Sequence, residues 1–170
     1  MSGPETSRLA AAMLACLASL ASPPTAAQST TGPDPDVLPS WELVIGPTSI
    51  HWHKGDDHTH VVLLGLEYGW AHGAIAGLSI FRNSFGQPSA YAYYGHTWDD
   101  LFGLRNLYVK LSAGVIYGYK GKYEDKVPLN HNGFGLGIVP AIGYRLTPHD
   151  AVQIGVLGTA ALIFTYNRRF

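Results

Sequence analysis

Three polar residues in this sequence carry side chains suited to chemistry on an ester: His51, Asn83 and Ser84. Transfer or hydrolysis of an ester needs a general base near neutral pH and hydrogen-bond donors for the developing oxyanion. We expect His51 to take the proton from an attacking hydroxyl, while Asn83 and Ser84 orient the ester or stabilise its oxyanion. Ser84 as a covalent nucleophile, with His51 as its base, stays open as a second mechanism.

These residues fall at the ends of alternating segments that read as β-strands. Eight such segments follow residue 40, separated by turn chemistry. No apolar run of 18 residues occurs after the first thirty positions, so a membrane chain of this kind would have to be a closed barrel. The predicted strands are residues 41–53, 59–70, 74–84, 89–98, 106–118, 132–145, 150–157 and 160–170.

The connections between the segments alternate in length. Residues 71–73 and 146–149 form short turns, while residues 119–131 form a long, charged connection. Barrels of the bacterial outer membrane have short periplasmic turns and longer outer loops. The sequence therefore predicts an all-β, eight-stranded antiparallel transmembrane barrel of the outer membrane, with the tops of the first and third strands at the outer rim.

The region before the strands reads as an export signal followed by a flexible lead-in. Arg8, the apolar residues 9–21 and the small residues 25–27 predict a cleaved signal peptide over residues 1–27. Residues 28–40 are rich in Pro, Thr, Asp and Ser and read as a lead-in to the barrel at 41–170. Cys16 is the only cysteine, so the exported chain should hold no disulfide.

A soluble sandwich or lipocalin-like barrel is disfavoured by the segment 133–145, which offers no polar face to water. The formal net charge of −1 gives no reason to expect a nucleic-acid partner. We expect membrane lipids as partners, a monomer, and no cofactor.

The alternation also divides the predicted interior into two halves. Toward the periplasm the inward residues are polar and should form a paired floor, comprising Glu67, Lys110, Arg145, Gln153, Asn167 and Arg169. Toward the outside they are aliphatic or glycine, which leaves a narrow apolar slot that suits a fatty acyl chain. The alternative is that the glycines relieve strain where strands coil sharply. The predicted slot residues are Gly114, Gly118, Gly133, Gly135, Gly137, Leu63 and Ile116.

Two local patterns qualify these expectations. Adjacent strand residues point to opposite faces, so alternation favours Asn83 over Ser84 as the inward residue unless the strand ends there. His51, His53, His58 and His60 have a spacing that could suit a metal. We interpret them as polar loop residues and predict no metal site.

Several stretches, taken in order, resemble the outer-membrane lipid A palmitoyltransferase (PagP) family: residues 81–85, 93–95, 111–115, 138–144 and 164–170, with 49–52 more loosely. The resemblance implies an eight-stranded barrel that moves palmitate from a glycerophospholipid to lipid A and measures the acyl chain in an interior pocket. It implies a histidine, an aspartate and a serine near the outer rim. His51 and Ser84 match two of these, but Asn83 stands at the aspartate position, and an amide cannot act as a charged orienter.

Two other functions stay open. A lipid A deacylase would use a similar barrel, with His131 as a weak substitute for its catalytic histidine. A structural or adhesive barrel would carry out no chemistry.

Overall fold

The computed structural model describes residues 39–51, 61–158 and 161–170. They form eight antiparallel strands that close into one barrel, each strand pairing with the next and β8 pairing with β1. This confirms the predicted fold, and the predicted ends of β3 to β7 differ from the observed ones by at most two residues. The strands are β1 Ser40–His51, β2 Val62–Gly69, β3 Ala74–Arg82, β4 Pro88–Trp98, β5 Leu107–Tyr117, β6 Phe134–Arg145, β7 Asp150–Leu157 and β8 Ala161–Arg169.

The outer surface of the barrel is apolar. Every strand alternates, so that one set of side chains is exposed and the other lies in the interior. An exposed aliphatic belt with aromatic residues near its edges is what a barrel presents to lipid. The aliphatic belt includes Ile50, Val62, Leu64, Leu78, Ile80, Leu136, Ile138 and Val152, and the aromatic residues include Trp41, Trp70, Tyr94, Trp98, Tyr144 and Phe170. No helix among the described residues is long and apolar enough to span a bilayer.

The two ends of the barrel differ in their connections. The lower end holds residues 39 and 170, and Trp41 and Phe170 exchange backbone hydrogen bonds there at 3.3 and 3.0 Å. It also holds the short turns and the β4–β5 connection, which contains the 3-10 turn Leu101–Gly103. The upper end holds the β3–β4 turn at 83–87 and the long β5–β6 loop, which contains the 3-10 helix Gly121–Lys126.

A charged cluster fills the lower interior and contains Glu67, Lys110 and Asn167 of the predicted floor, whereas Arg145 pairs with Asp99 at 2.6 Å instead. The ammonium of Lys110 lies 2.6 Å from a carboxylate oxygen of Glu67 and 3.3 Å from one of Glu42. Asn167 donates to the same Glu42 oxygen at 2.6 Å, and the hydroxyl of Tyr93 donates to Glu67 at 2.9 Å. Each charge in the cluster therefore has partners, which is the condition under which buried ions are tolerated.

The ladder between β6 and β7 is incomplete in the upper half. Pairing stops at Ala141–Gly155, although β6 continues up to Phe134 and β7 to Leu157. Pro140, the next residue up β6, has no N–H to donate. The N–H of Leu136, four residues away on β6, is donated to the Pro128 carbonyl and not to β5. Strand residues an even number apart point their N–H groups to the same side, so the missing donor of Pro140 is one that would face β7.

The ladder between β1 and β2 is described from Ser40–Gly69 to Gly46–Leu63, and residues 52–60, which follow β1, lie outside the described residues. A bulge between Ile45 and Thr48 shifts the pairing of β1 with β8 by one residue, and a bulge bends its strand and redirects the side chains beyond it. Among the described residues, the upper wall therefore has one incomplete ladder, between β6 and β7, while the lower wall is paired all round.

Candidate functional site

The three residues expected to act on an ester all lie at the upper end. His51 is the last residue of β1 and is half-buried, and Asn83 and Ser84 directly follow β3. Asn83 has 0% of its surface exposed, which confirms the inward position that alternation favoured. Ser84 is also buried, because β3 ends at Arg82 and the chain no longer alternates.

The side chain of Asn83 organises the β3–β4 turn. Its Oδ1 accepts hydrogen bonds from the backbone N–H groups of Phe85 and Gln87, both at 3.0 Å. Its Nδ2 donates to Ser89 Oγ at 3.1 Å and more weakly to Gln87 Oε1 at 3.5 Å. All donors and acceptors of this amide are engaged within the turn, so the amide has no free group with which to orient an ester directly, the role expected from the sequence.

Gln87 links this turn to the β5–β6 loop. Its Oε1 accepts from the backbone N–H of Lys120 at 3.2 Å, and its Nε2 donates to the Lys120 carbonyl at 3.3 Å. Beside this clamp, the rings of Phe85 and Tyr123 stack with centroids 4.0 Å apart. The β3–β4 turn and the β5–β6 loop therefore form one unit, the upper unit, at the upper opening, or mouth, of the barrel.

Tyr119 lies within the same unit. Its ring meets Phe85 edge to face, with centroids 6.3 Å apart, and Asn130 donates to its backbone carbonyl at 2.8 Å. Burial raises the pKa of Tyr119 to about 12, because the phenolate is the form that burial disfavours.

The β5–β6 loop places Val127 inside the upper mouth. Val127 is buried, and a Cβ built on Gly135 would lie only 2.5 Å from its Cγ1. The carbonyl of Pro128 accepts a hydrogen bond from the N–H of Leu136 at 2.9 Å. The loop thus supplies β6 with a backbone partner on the side away from β5.

Neighbouring atoms occupy the space directly beside several of the predicted slot glycines, and the slot itself stays a prediction. A Cβ on Gly137 would lie 2.6 Å from Cδ1 of Ile116, and one on Gly114 would lie 2.0 Å from the carbonyl oxygen of Ala92. Gly118 and Gly133 have φ of 128° and 87° and stand at the two ends of the long loop. These glycines admit close neighbours or left-handed backbone, as the alternative interpretation held.

The apolar character of the upper interior is as expected. Val61, Ala161 and Ile163 are buried there, and Leu63 and Ile116 lie on the inward face of their strands. A Cβ on Gly46 would lie 3.1 Å from Cβ of Leu63 and 3.3 Å from Cδ1 of Ile163. The described part of the upper interior is therefore lined by hydrocarbon.

Sequence reasoning missed Ser49 at this end. It lies on the inward face of β1, 5% exposed, two residues before His51. Its spacing from His51 was a usable signal, since residues i and i+2 of a strand share a face. The same reasoning missed Glu42 in the lower cluster, because no inward face was assigned to β1.

His53, His58 and His60 lie outside the described residues. Among the residues that are described, no group of three or more His, Cys, Asp or Glu side chains is arranged to hold a metal ion.

Comparisons with known proteins give the fold and nothing narrower. No family model matches the chain, and no curated protein matches it significantly. A solved structure described as a de novo designed transmembrane β-barrel is similar, with a TM-score of 0.58 and 12% sequence identity over 77% of this chain and 95% of that one. The chain is a transmembrane β-barrel, and its function has to be argued from its own residues.

Proposed function

We propose that this protein is an acyltransferase of the bacterial outer membrane, which moves a palmitoyl chain from a glycerophospholipid to lipid A at the upper rim. The observation that carries the proposal is the incomplete wall of the upper half, where the pairing of β6 with β7 stops above Ala141. This joint lies beside an apolar interior and at the same end as His51.

Unpaired backbone is costly in lipid, because no water is present to satisfy its polar groups. A barrel that only needed to be stable would complete its ladders, as the lower half does. An opening in the upper wall gives a membrane lipid a sideways route to the interior. An enzyme with a lipid donor and a lipid acceptor needs such a route, and a purely structural barrel does not.

The proposed reaction uses His51 as the base. A hydroxyl of lipid A attacks the palmitoyl ester carbon while His51 takes the hydroxyl proton. The bond from that carbon to the glycerol oxygen then breaks, and the leaving oxygen receives the proton from His51. Ser84 donates to the ester or its oxyanion, and Asn83 positions Ser84 through the β3–β4 turn that it organises.

Mass spectrometry of lipid A from cells with and without the gene tests this function. We expect the gain of one palmitoyl unit. His51→Ala should reduce that gain by about 100-fold or more, the usual contribution of a general base, and Ser84→Ala should also reduce it. The heat-dependent electrophoretic mobility of a folded barrel serves as the folding control. Folded protein in the outer membrane with unchanged lipid A would refute the acyltransferase, and loss of an acyl chain would identify a deacylase.

A structural barrel is the second candidate, and the packed interior is the observation that favours it. Val127 covers Gly135, and Ile116 covers Gly137. Unchanged lipid A together with a weakened envelope in cells lacking the gene would support this candidate.

A further inference from the structure

The hydroxyl of Ser49 is a buried polar group without a hydrogen-bond partner among the described residues. Ser49 pairs with Ile163 of β8, and both side chains lie on the inward face. An unpaired buried hydroxyl lowers stability, and such groups are few in folded proteins. One that persists at a candidate site is therefore a candidate for binding a ligand.

Other buried serines of the interior do have partners. Ser112 Oγ lies 3.2 Å from the hydroxyl of Tyr91 and 3.5 Å from the carbonyl of Val139. Ser89 Oγ accepts from Asn83 at 3.1 Å. Ser112 is 6% exposed and Ser49 is 5% exposed, so the two differ in hydrogen bonding while their burial is the same.

The position of Ser49 places it beside the proposed base. It lies on β1 above the bulge between Ile45 and Thr48. Beyond the bulge, Ser49 shares the inward face of β1 with His51. An ester that is held at His51 would therefore lie on the same side of β1 as the hydroxyl of Ser49.

We propose that Ser49 binds the ester carbonyl oxygen of the donor phospholipid. The Ser49 hydroxyl donates a hydrogen bond to this oxygen, and the bond strengthens as the oxygen becomes negative during attack on the carbon. Ser49 forms no covalent bond and gives up no proton. The choice of an ester as the ligand rests on the proposed acyltransferase function. The observation that the Ser49 hydroxyl is buried and unpaired does not depend on that function.

Ser49→Ala and Ser112→Ala form a matched test. In membrane vesicles that contain lipid A, Ser49→Ala should lower kcat for palmitoyl transfer by about 100-fold, as for loss of an oxyanion donor. Its midpoint of urea unfolding should be unchanged or higher, because an unpaired hydroxyl is removed. Ser112→Ala should lower the midpoint and leave kcat unchanged. Wild-type kcat in a folded Ser49→Ala variant would overturn the proposal.

A binding measurement keeps this inference separable from the proposed function. Native mass spectrometry of the folded protein compares retention of a diacyl phosphatidylethanolamine with that of its dialkyl ether analogue, which lacks the carbonyl oxygens. Wild type should retain the ester lipid about threefold to tenfold better, the effect of one neutral hydrogen bond, and Ser49→Ala should lose that preference. If wild type transfers no palmitate but shows this Ser49-dependent preference, the proposed function fails and the binding role of Ser49 stands. No preference in wild type, or the same preference in Ser49→Ala, refutes the role of Ser49.

Discussion

The lower and upper halves of this barrel differ in their strand pairing and in what fills their interior. In the lower half every strand pairs with both neighbours, and the interior is closed by Lys110 with its two carboxylates. In the upper half the ladder between β6 and β7 stops early, and Val127 of the β5–β6 loop is buried inside the mouth. The lower half therefore has a complete wall around a charged interior. In the described part of the chain, the upper half has six ladders that reach its top, one incomplete ladder, and an apolar interior that a loop helps to close.

This difference implies different responses to disturbance. A change in the lower half acts on the cooperative core and should alter the free energy of global unfolding. A change in the β3–β4 turn or the β5–β6 loop acts on segments outside the strand ladders, which can open locally while the barrel stays folded. Under the proposed function, lipid access at the upper end would then need no loss of stability at the lower end.

Removing the central cation should give the largest effect. Lys110→Met leaves Glu42 and Glu67 buried without a cation, and we expect a loss of about 3–5 kcal/mol in the free energy of unfolding. Urea unfolding in phospholipid vesicles, followed by tryptophan fluorescence, measures it. Adding Glu42→Gln and Glu67→Gln should recover part of the loss.

The matched control for Lys110 is Lys126, whose pair with Asp125 at 3.0 Å is exposed. Lys126→Met should change the same free energy by less than about 0.5 kcal/mol. Equal effects of the two substitutions would show that the buried cluster does not stabilise the lower half.

Two glycine substitutions compare the halves directly. A Cβ on Gly143 would lie 2.1 Å from Cζ of Tyr108 in the lower interior, so Gly143→Ala should cost about 1–3 kcal/mol through overpacking. The Cβ added by Gly135→Ala would contact Val127. Because Val127 belongs to a loop, the loop should move aside, and the loss in free energy of unfolding should be smaller than for Gly143→Ala. Urea unfolding and proteolysis of the loop measure the two effects. A larger global loss for Gly135→Ala would contradict the division into halves.

Gly135 also gives a test within the proposed function. A larger residue there should shorten the preferred acyl chain in the lipid A assay, provided that the chain occupies the space under Val127. Unchanged chain selection with normal folding would place the acyl chain elsewhere.

Much of the barrel was predictable because strand alternation is a local property. Turn residues and the two-residue period located β3 to β7 closely and identified the inward glycines. The occupants of the space beside those glycines were not predictable, because Tyr108 and Val127 reach them from other strands and loops. A glycine in a sequence indicates that a side chain is missing, but only the fold determines whether a neighbour fills the space.

The candidate site was predictable in part for the same reason. The inward direction of Asn83 follows from counting along β3, whereas its engagement by Phe85, Gln87 and Ser89 depends on how the turn closes. The shift of the inward face from Val44 to Ser49 depends on the bulge in β1, which simple alternation does not predict.

Breaking the clamp between the two loops should have a smaller effect, confined to the upper half. Gln87→Leu removes both hydrogen bonds to the Lys120 backbone. We expect trypsin to cleave the β5–β6 loop about tenfold faster, since two partly exposed hydrogen bonds contribute on the order of 1 kcal/mol together. The midpoint of urea unfolding should not move. A shift of that midpoint without faster cleavage would mean that the loops belong to the cooperative core.

The smallest expected effect is a pH dependence of the same loop. The folded pKa of Tyr119 is raised to about 12 from an ordinary value of 10.0, so the packed loop keeps the phenol protonated where the released loop would lose its proton. The stabilisation of the packed loop is therefore complete below about pH 10 and falls as the pH rises toward 12. Cleavage of the loop by an alkaline-stable protease should accelerate across this window, and Tyr119→Phe should abolish that acceleration. The difference in absorbance at about 295 nm between wild type and Tyr119→Phe follows the titration of Tyr119. If Tyr119 titrates near pH 10, its ring is open to water, and the contacts between the two loops do not bury it.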